Sequence, residues 1–431
     1  MKLHTLILVF VVTVFTMSCN NNTSDQNNNK TSFKHVDKDM IKDEAYVSYI
    51  NFFEEVYDTM TQSYYKPIAR ENFDRFIDMF NNKIYAQLKG QGKSNNFVKW
   101  RSTAFLIDHL KDSEDIFSAF FPPKPAKEYE QTALGKRVDL GIEGELKDAG
   151  YLVSNIEPRA DAYDKGLRKN DLILKIDDRD VLTLEKEVIE ELLRPMEGAE
   201  VALNYVTREQ LAKEITVVSK EYFKQMTFII PTTLPGIYGL KVKRFNRKTS
   251  DDVLRFLTFF KNDKPNGPMA GLILDMRGNP GGPPLAAREI SSFFLTPGEL
   301  LTSFQKHDQE PIELDVPEIP EKFHVRVPMV ILIDNDSGSA AEMFAGIMQF
   351  RKRAVLMGEN SAGQVMLKSM FHFSDESMVL LITQRGHYPD GSVYTFDGLT
   401  PERYGDQMGG DDIVNYASKY LIYMNTQKNN E

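Results

Sequence analysis

The fold class is decided by the stretch Ala270-Gly-Leu-Ile-Leu-Asp-Met-Arg-Gly-Asn-Pro-Gly-Gly282. It opens on an apolar run typical of a strand that a sheet buries on both faces, and it ends in a glycine-dense turn. Around it, further strands are predicted at Ile237–Val242 and Met329–Ile333, and helices at residues 249–257, from about 285, and at 340–350. The first of these helices is expected to have a Ser or Thr cap and an acidic first turn. The alternation predicts an α/β core, in which residues 296–328 stay unassigned.

Two junctions between a strand and the following loop are candidates for chemistry, because catalytic groups in α/β sheets collect beyond the carboxyl ends of strands. The first is Asp275-Met-Arg-Gly-Asn-Pro-Gly-Gly282, which lacks the Gly-Lys-Ser/Thr ending of a phosphate loop, so nucleotide binding is disfavoured. The second is Asp334-Asn-Asp-Ser-Gly-Ser-Ala-Ala-Glu342, where a strand turns sharply into a helix. Such a turn can expose a serine hydroxyl where amide donors and the helix dipole favour a developing oxyanion.

A structural interpretation of the second junction stands beside the catalytic one. Ser339-Ala-Ala-Glu342 is a capping box, in which Ser caps the helix and Glu at the third helical position returns the bond. Taken alone, this pattern favours a capping role for Ser339. The combination of both junctions favours a nucleophile.

Two regions precede the core. Residues 34–128 show apolar residues at helical spacing and predict an N-terminal helical domain, which is expected to stop at Phe121-Pro-Pro-Lys-Pro125 because prolines lack backbone donors. Residues 129–220 change to short β-like runs broken by Gly and Asp, with a first strand predicted at residues 138–142.

The second of these regions resembles a PDZ domain through Ala160-Asp-Ala-Tyr-Asp-Lys-Gly-Leu-Arg-Lys-Asn-Asp-Leu-Ile-Leu-Lys-Ile-Asp177. A PDZ domain binds an extended peptide as an added strand, and its loop amides hold the free C-terminal carboxylate. The resemblance implies that the peptide-binding loop is formed by Leu140, Gly141, Ile142 and Glu143. The alternative is that Val138 to Leu146 form only an edge strand.

Together the segments resemble the C-terminal processing (tail-specific) serine peptidases, from about residue 46 to about residue 406. The family motif "Leu-Asp-Leu-Arg-x-Asn-x-Gly-Gly" is matched by residues 274–282, and "Ser-Ala-Ser-Ala-Ser-Glu" aligns on Glu342. The resemblance implies a multidomain α/β protein with a ClpP/crotonase-like peptidase core at residues 221–425. It implies that Ser339 is the nucleophile, with oxyanion donors from the backbone of Gly281 or Gly282 and of Ala340.

The chain departs from the family pattern at the general base. Gln364 stands where the family has its Lys, and Lys368 stands where it has the Gln that orients that Lys. Because side chains alternate along a strand, positions 364 and 368 are expected to face the same side, with Cα atoms about 13 Å apart. An exchange of roles is therefore conceivable, and the alternative is that Lys368 is a surface lysine and the base is missing. Phe350 replaces an Asp that the family often has.

A histidine could replace the lysine as base, as in other serine hydrolases. The candidates are His324, His372 and His387, each of which could equally be structural. The chain has no His-Glu-x-x-His motif and no close His/Cys pairing, so a metal site is not expected, and no cofactor is predicted.

The N-terminus predicts export. An apolar run from Leu6 to Phe15 is too short to span a bilayer and ends just before Cys19, the only cysteine of the chain. Residues 1–19 resemble a bacterial lipoprotein signal, with Cys19 as the lipidation site, and the polar residues 20–33 are expected to form a flexible tether. The alternative is an ordinary cleaved signal in which Cys19 has no role. We expect a lipid-anchored protein of the bacterial cell envelope, periplasmic or on the outer membrane.

These predictions combine into one leading hypothesis, a serine endopeptidase that captures peptide or protein C-terminal tails on its PDZ domain and cleaves them through acylation of Ser339. One rival is an inactive homologue that tethers tails at the membrane surface, and another is a hydrolase of other acyl substrates. Nucleic acid is an unexpected partner, because 62 acidic residues outnumber 52 basic ones.

Overall fold

The computed structural model describes residues 43–263, 265–306, 309–404 and 412–428. They divide into two compact units whose segments alternate along the chain. The first unit holds the described residues up to Tyr129, together with Ser303–Glu313 and Met366–Val393. The second unit holds Glu130–Thr302, Leu314–Val365 and the described residues from Tyr394 onward.

The bounds of the regular elements are as follows. The α-helices of the described residues are α1 Glu44–Ser63, α2 Arg70–Met79, α3 Tyr85–Gly90, α4 Asn95–Leu110, α5 Pro123–Leu134, α6 Asp161–Asp164, α7 Lys186–Leu192, α8 Thr249–Asn262, α9 Pro284–Ser291, α10 Ala340–Phe350 and α11 Ile413–Lys428. The strands are β1 Ala119–Phe121, β2 Lys136–Asp139, β3 Ile142–Lys147, β4 Gly150–Ile156, β5 Leu172–Ile176, β6 Arg179–Asp180, β7 Glu200–Val206, β8 Ala212–Val218, β9 Lys220–Phe223, β10 Thr227–Ile230, β11 Ile237–Val242, β12 Gly271–Asp275, β13 Leu300–Gln305, β14 Ile312–Asp315, β15 Met329–Ile333, β16 Val355–Gly358, β17 Met366–His372, β18 Met378–His387 and β19 Arg403–Tyr404.

The helices α1 to α4 of the first unit pack around aromatic side chains. Asp43 is the N-cap of helix α1, and its carboxylate accepts the N–H groups of Ala45 and Tyr46. The ring of Phe53 lies edge-on to those of Phe76 and Phe80, with centroids 5.5 and 5.0 Å away, and all three side chains are fully buried. Edge-to-face contacts of this kind add to the free energy that aromatic burial contributes. The predicted helical N-terminal region is confirmed.

The predicted end of this helical region is wrong. Strand β1 stops at Phe121, and helix α5 begins two residues later, at Pro123. Proline is tolerated in a first helical turn, because the N–H that it lacks has no acceptor within the helix. The successive prolines therefore start a helix here.

The sheet of the first unit is assembled from distant parts of the chain. Its strands follow the order β1-β18-β13-β14, and β17 pairs antiparallel with β18. Strands β13 and β14 lie in residues 296–328, which the sequence left unassigned. A register shift between Leu367 and Lys368 marks a β-bulge in β17.

The PDZ-like residues form a separate sheet in the second unit, in the order β3-β4-β5-β7-β8, with β6 paired to β5. The single strand predicted at residues 138–142 is two strands, because β2 ends at Asp139 and pairs with β9, whereas β3 begins at Ile142. Gly141, between them, has a φ of +72°, which breaks an extended conformation. Strand β3 forms the edge of its sheet.

The core sheet of the second unit has the order β10-β11-β12-β15-β16-β19. The pairs from β11 to β19 are parallel, whereas β10 is antiparallel to β11. Every residue of β12 and of β15 is buried, as the apolar runs predicted. On one face, Ala417 and Leu421 of α11 join the same buried cluster as Ile273 and Val330. The predicted α/β core is confirmed.

Helix α8 corrects one prediction about its cap. Its N-cap residue is Lys248, and the hydroxyl of Thr249 accepts the N–H of Asn246 instead of capping the helix. The acidic first turn is present as Asp251 and Asp252.

Candidate active site

The two candidate junctions lie side by side, because β12 and β15 are adjacent and parallel, so their carboxyl ends meet. Hydrogen bonds join the loops that follow. The N–H of Gly338 donates to Asn279 O at 2.9 Å, and the hydroxyl of Ser337 donates to Met276 O at 2.9 Å. The glycine-dense turn and the serine turn therefore form one structure.

The backbone of Ser339 is strained at the start of α10. Its φ is +55° and its ψ is −118°, a region that residues with a side chain rarely occupy. An N-cap residue ordinarily has extended backbone angles, so capping alone does not require this conformation. The capping box with Glu342 is nevertheless present. The half-buried Ser339 thus caps a helix from a conformation typical of a sharp nucleophile turn.

Gly281 lies against the serine turn and admits no side chain. A Cβ at this position would stand 2.7 Å from Gly338 O, 2.7 Å from the Cβ of Ser339 and 2.8 Å from the N of Ala340. Its φ of +96° is also a glycine conformation. The close approach of this backbone to Ser339 is what an oxyanion hole between the two junctions requires.

The amides predicted as oxyanion donors differ in availability. The N–H of Gly281 donates to Asn279 Oδ1 at 2.9 Å, so it is already used. The N–H groups of Gly282 and Ala340 donate to no acceptor among the described residues. These two amides flank Gly281 and Ser339 and are the ones open to a ligand.

Glu342 organises the site from within. It is 1% exposed, and its carboxylate accepts the N–H of Ser339 at 2.8 Å, those of Gly363 and Gln364 at 2.6 and 2.7 Å, and the hydroxyl of Ser361 at 2.6 Å. Burial raises the pKa of Glu342, although these donors act in the opposite direction. The sequence identified this residue only as a capping partner. Its second role, fixing the loop at 361–364, depends on contacts that no spacing reveals.

Gln364 lies beside the turn that contains Ser339. A Cβ at Gly338 would stand 3.5 Å from both Cδ and Oε1 of Gln364, and the N–H of Ala362 donates to Ser337 O at 2.9 Å. The residue that replaces the family lysine is therefore next to the residue that precedes Ser339.

Comparisons with known proteins agree with this geometry. Residues 237–404 match the model of peptidase family S41, and residues 138–218 match that of the PDZ domain. These two matches fall on the segments whose motifs predicted a serine peptidase core and a PDZ domain. The predicted resemblance to the C-terminal processing serine peptidases with a PDZ domain is confirmed.

Individual relatives are distant. A probable CtpA-like serine protease of Staphylococcus haemolyticus is 23% identical over 303 residues, which are 70% of this chain and 59% of that protein. The chain thus spans less than two thirds of that relative's length. A carboxy-terminal-processing protease of Bartonella bacilliformis is 24% identical over 347 residues, covering 79% of this chain and 75% of the relative. A solved lipoprotein from Streptococcus agalactiae shares the fold, with a TM-score of 0.50 and 11% identity over 88% of this chain and 96% of that one.

The prediction that Lys368 and Gln364 lie on one face of a single strand is wrong. Strand β17 begins at Met366, after Gln364, and the bulge at Leu367 and Lys368 interrupts the alternation of side chains. Lys368 belongs to the first unit, where its ammonium lies 4.5 Å from the ring centroid of Phe117. The role of Lys368 as base stays a prediction.

The histidine candidates occupy varied places. His372 ends β17, and His387 ends β18 with its Nδ1 3.2 Å from Arg385 O, both in the first unit. His324 lies in the second unit, with its Nε2 3.9 Å from a carboxylate oxygen of Glu321. Phe350, where an Asp was expected by resemblance, is the last residue of α10 and is 37% exposed.

The predicted peptide loop of the PDZ domain is closed by its own hydrogen bonds. The N–H of Leu140 donates to Leu193 O at 3.2 Å, and that of Gly141 donates to Asp139 Oδ1 at 2.7 Å. Glu143 accepts from Lys224 at 2.9 Å, and this bond lowers the pKa of Glu143. The sequence missed Asp139, although its carboxylate directly precedes the loop.

Three remaining predictions concern metals and the membrane. In the part of the chain that the structure describes, no group of three or more His, Cys, Asp or Glu side chains is arranged to hold a metal ion. None of the helices in these ranges combines the length and the apolarity needed to cross a membrane. Cys19 lies outside the described residues, so its lipidation stays a prediction.

Proposed function

We propose that this S41 family member is a serine endopeptidase that cleaves polypeptides through an acyl-enzyme on Ser339, with substrate docked on its PDZ domain. The observation that carries the proposal is the strained backbone of Ser339 beside the open N–H groups of Gly282 and Ala340. A helix cap does not require the strained backbone of Ser339. A serine nucleophile on a sharp turn between a strand and a helix does have such a backbone, because the turn exposes its hydroxyl.

The arrangement supports an ordinary acyl transfer. The hydroxyl oxygen of Ser339 attacks the carbonyl carbon of the scissile peptide, and its proton passes to a general base and then to the departing amine as the C–N bond breaks. The N–H groups of Gly282 and Ala340 hold the oxyanion. Water then attacks the ester, gives one proton through the base to the oxygen of Ser339, and releases the acid.

The base assignment rests on the family resemblance. Lys368 is proposed to take the serine proton, with Gln364 as the residue that orients the reacting groups. The contact of Gln364 with Gly338 supports a positioning role for the amide side chain. A binding protein without activity is the second candidate, favoured by the same observation, because a glutamine beside the nucleophile turn cannot accept the proton of Ser339.

A fluorophosphonate probe and an unfolded protein substrate test these assignments. Wild type should be labelled on the peptide that contains Ser339 and should degrade the substrate, whereas Ser339→Ala should do neither. Ser113→Ala, a change at an exposed serine, should keep the label on Ser339. Lys368→Ala should slow labelling by about a hundredfold or more, whereas the exposed Lys186→Ala should not change it.

Other results would redirect the proposal. Full activity of Lys368→Ala, with loss in Ser339→Ala, would remove Lys368 as base and leave Ser339. A wild type that is never labelled but retains peptides would favour the binding protein. Cleavage of simple esters without any cleavage of polypeptides would favour a hydrolase of other acyl substrates.

We further propose that the mature protein is anchored in the bacterial cell envelope by a lipid on Cys19. The support is the short apolar run, the single cysteine after it and the polar stretch that follows. Incorporation of a radiolabelled fatty acid in a bacterial host should be seen for wild type and lost in Cys19→Ser. An unlabelled wild type would favour a cleaved, unanchored signal.

A further inference from the structure

The peptide loop of the PDZ domain contains a carboxylate of its own. Asp139 is 7% exposed and lies directly before the loop, where its Oδ1 accepts the N–H of Gly141 and the hydroxyl of Tyr222. The guanidinium of Arg137 lies 3.4 Å from its Oδ2. A carboxylate oxygen thus already bonds to a loop amide of the kind that holds a peptide C-terminus in a PDZ domain.

The N–H of Leu140, the first residue of the loop, is also used. The N–H of Leu140 donates to Leu193 O, just beyond the end of α7. Leu140 and Leu193 belong to one buried apolar cluster, with 0% and 2% of their surfaces exposed. A terminal carboxylate at this loop would have to displace Asp139, or it would lie beside a second carboxylate with fewer donors than it needs.

The edge of the sheet beyond the loop stays open. Ile142 pairs with Ile156, and the N–H of Glu157 donates to Gly141 O at 2.8 Å. This pattern makes Ile142 and Ile156 a non-hydrogen-bonded pair, so the N–H and C=O of Ile142 point away from β4. An extended chain can therefore add to β3 at Ile142 without using the carboxylate position.

We infer that Asp139 is a specificity-determining residue that makes the PDZ domain take internal segments of a polypeptide rather than free C-terminal tails. This inference rests on the proposed docking of substrate on the PDZ domain. The recognised chemistry is an extended backbone without a terminal carboxylate. It differs from the tail capture that the sequence predicted from the loop amides.

The test compares peptides that differ only at their C-terminus. A pool of ten-residue peptides with varied apolar and polar positions is made once as free acids and once as C-terminal amides, and both are retained on immobilised Ser339→Ala protein. Mass spectrometry gives the ratio of acid to amide for each sequence. We expect a ratio of about one or below with Asp139 present. In Asp139→Ala, where Gly141 N–H and the Tyr222 hydroxyl become available, acids should be enriched about tenfold.

Two further variants separate the causes. Asp139→Asn keeps an acceptor for the Gly141 N–H but removes the negative charge. The ratio of acid to amide should stay near one if the bond to Gly141, and not the charge of Asp139, excludes the terminal carboxylate. Tyr222→Phe keeps Asp139 on Gly141 and should also leave the ratio unchanged, and it reports on any general damage to the domain. Far-UV circular dichroism and thermal melts check that each protein is folded.

The ratios of acid to amide test the role of Asp139 and do not depend on whether Ser339 is a nucleophile. A tenfold preference of the Asp139-containing protein for acids would overturn it, and so would failure of both pools to bind. A ratio that stays near one in a folded Asp139→Ala protein would also overturn the role of Asp139. Fluorophosphonate labelling of wild type reports on Ser339 independently, so loss of one proposal leaves the other testable.

Discussion

The loop at Ser339 and the loop at Gly141 have similar backbone turns, but their N–H groups differ in whether they already have an acceptor. Both place a glycine with positive φ where only glycine fits, and both have backbone N–H groups beside that glycine. At the nucleophile turn, the N–H groups of Gly282 and Ala340 have no acceptor among the described residues. In the PDZ loop, the N–H of Gly141 already bonds to Asp139. Similar turns therefore leave their N–H groups available to a ligand at Ser339 but not at Gly141. The difference is the side chain of Asp139, which accepts the N–H of Gly141.

The largest expected effect comes from blocking the open loop. In Gly281→Ala, the added Cβ would collide with Ser339 and Ala340, so the N–H of Ala340 and the side chain of Ser339 cannot keep their positions. We expect kcat/KM for peptide hydrolysis to fall about a thousandfold. Gly278→Ala is the matched control, because Gly278 has a φ of +67° but nothing within 4 Å of an added Cβ. Near-normal activity of Gly281→Ala would contradict an oxyanion hole at this place.

A smaller effect is expected from Glu342→Gln, which puts an NH₂ group among donors. One of the N–H groups from Ser339, Gly363 or Gln364 then loses its acceptor, so kcat should fall about a hundredfold with little change in KM. The substitution therefore removes a hydrogen bond that holds the Ser339 turn, but it leaves the N–H groups of Gly282 and Ala340 without an acceptor among the described residues. Steady-state kinetics on an unfolded substrate, with the thermal melt as a folding control, measure the effect.

The same variant has a pH signature with a defined sign. Because burial raises the pKa of Glu342, the folded protein binds the proton before the unfolded chain does as pH falls. The stabilisation from this group is fully present below its ordinary pKa and is lost as pH rises through the folded pKa. The free energy of unfolding of wild type, relative to Glu342→Gln, should therefore decrease from about pH 4.5 upward. Urea denaturation at several pH values measures this difference, and a constant difference would argue against a raised pKa.

The smallest effect is expected in the filled loop. Tyr222→Phe removes one donor from Asp139 but leaves the bond to Gly141, so the domain should lose about 1 kcal/mol of stability without gaining a preference for free acids. Tyr238→Phe is a matched control outside the PDZ domain, because its hydroxyl is also hydrogen-bonded, here to the backbone oxygens of Gly267 and Asp263 at 3.0 and 3.3 Å. It should cost a similar amount. An acid preference in Tyr222→Phe alone would show that the tyrosine, not Asp139, closes the loop.

The sequence predicted those parts of the fold that depend on local patterns. The bounds of α10, β11 and β15 agree with the predicted ones, because apolar runs and a capping box mark them directly. The start of α5 at Pro123 was missed, since a proline that ends one helix and a proline that begins another look alike in sequence.

The parts of the site that were not predicted depend on contacts between distant residues. The bulge in β17 changes the position of Lys368 relative to Gln364, and no pattern of residues in the sequence predicts this bulge. Glu342 reaches the loop at 361–364 only through the fold, and the capture of Gly141 by Asp139 requires a turn that was expected to be a continuous strand. Motifs locate candidate residues, but their hydrogen bonds decide whether a position is available.

The discontinuity of the first unit has a consequence for synthesis. Its sheet joins Ala119 to Leu380 across β1 and β18, so β1 has no partner until the ribosome has made almost the whole chain. Contacts so distant in sequence close late and slowly. The emerging polypeptide must keep this edge unpaired through most of translation, and a product truncated before residue 378 would lack the strand that completes it.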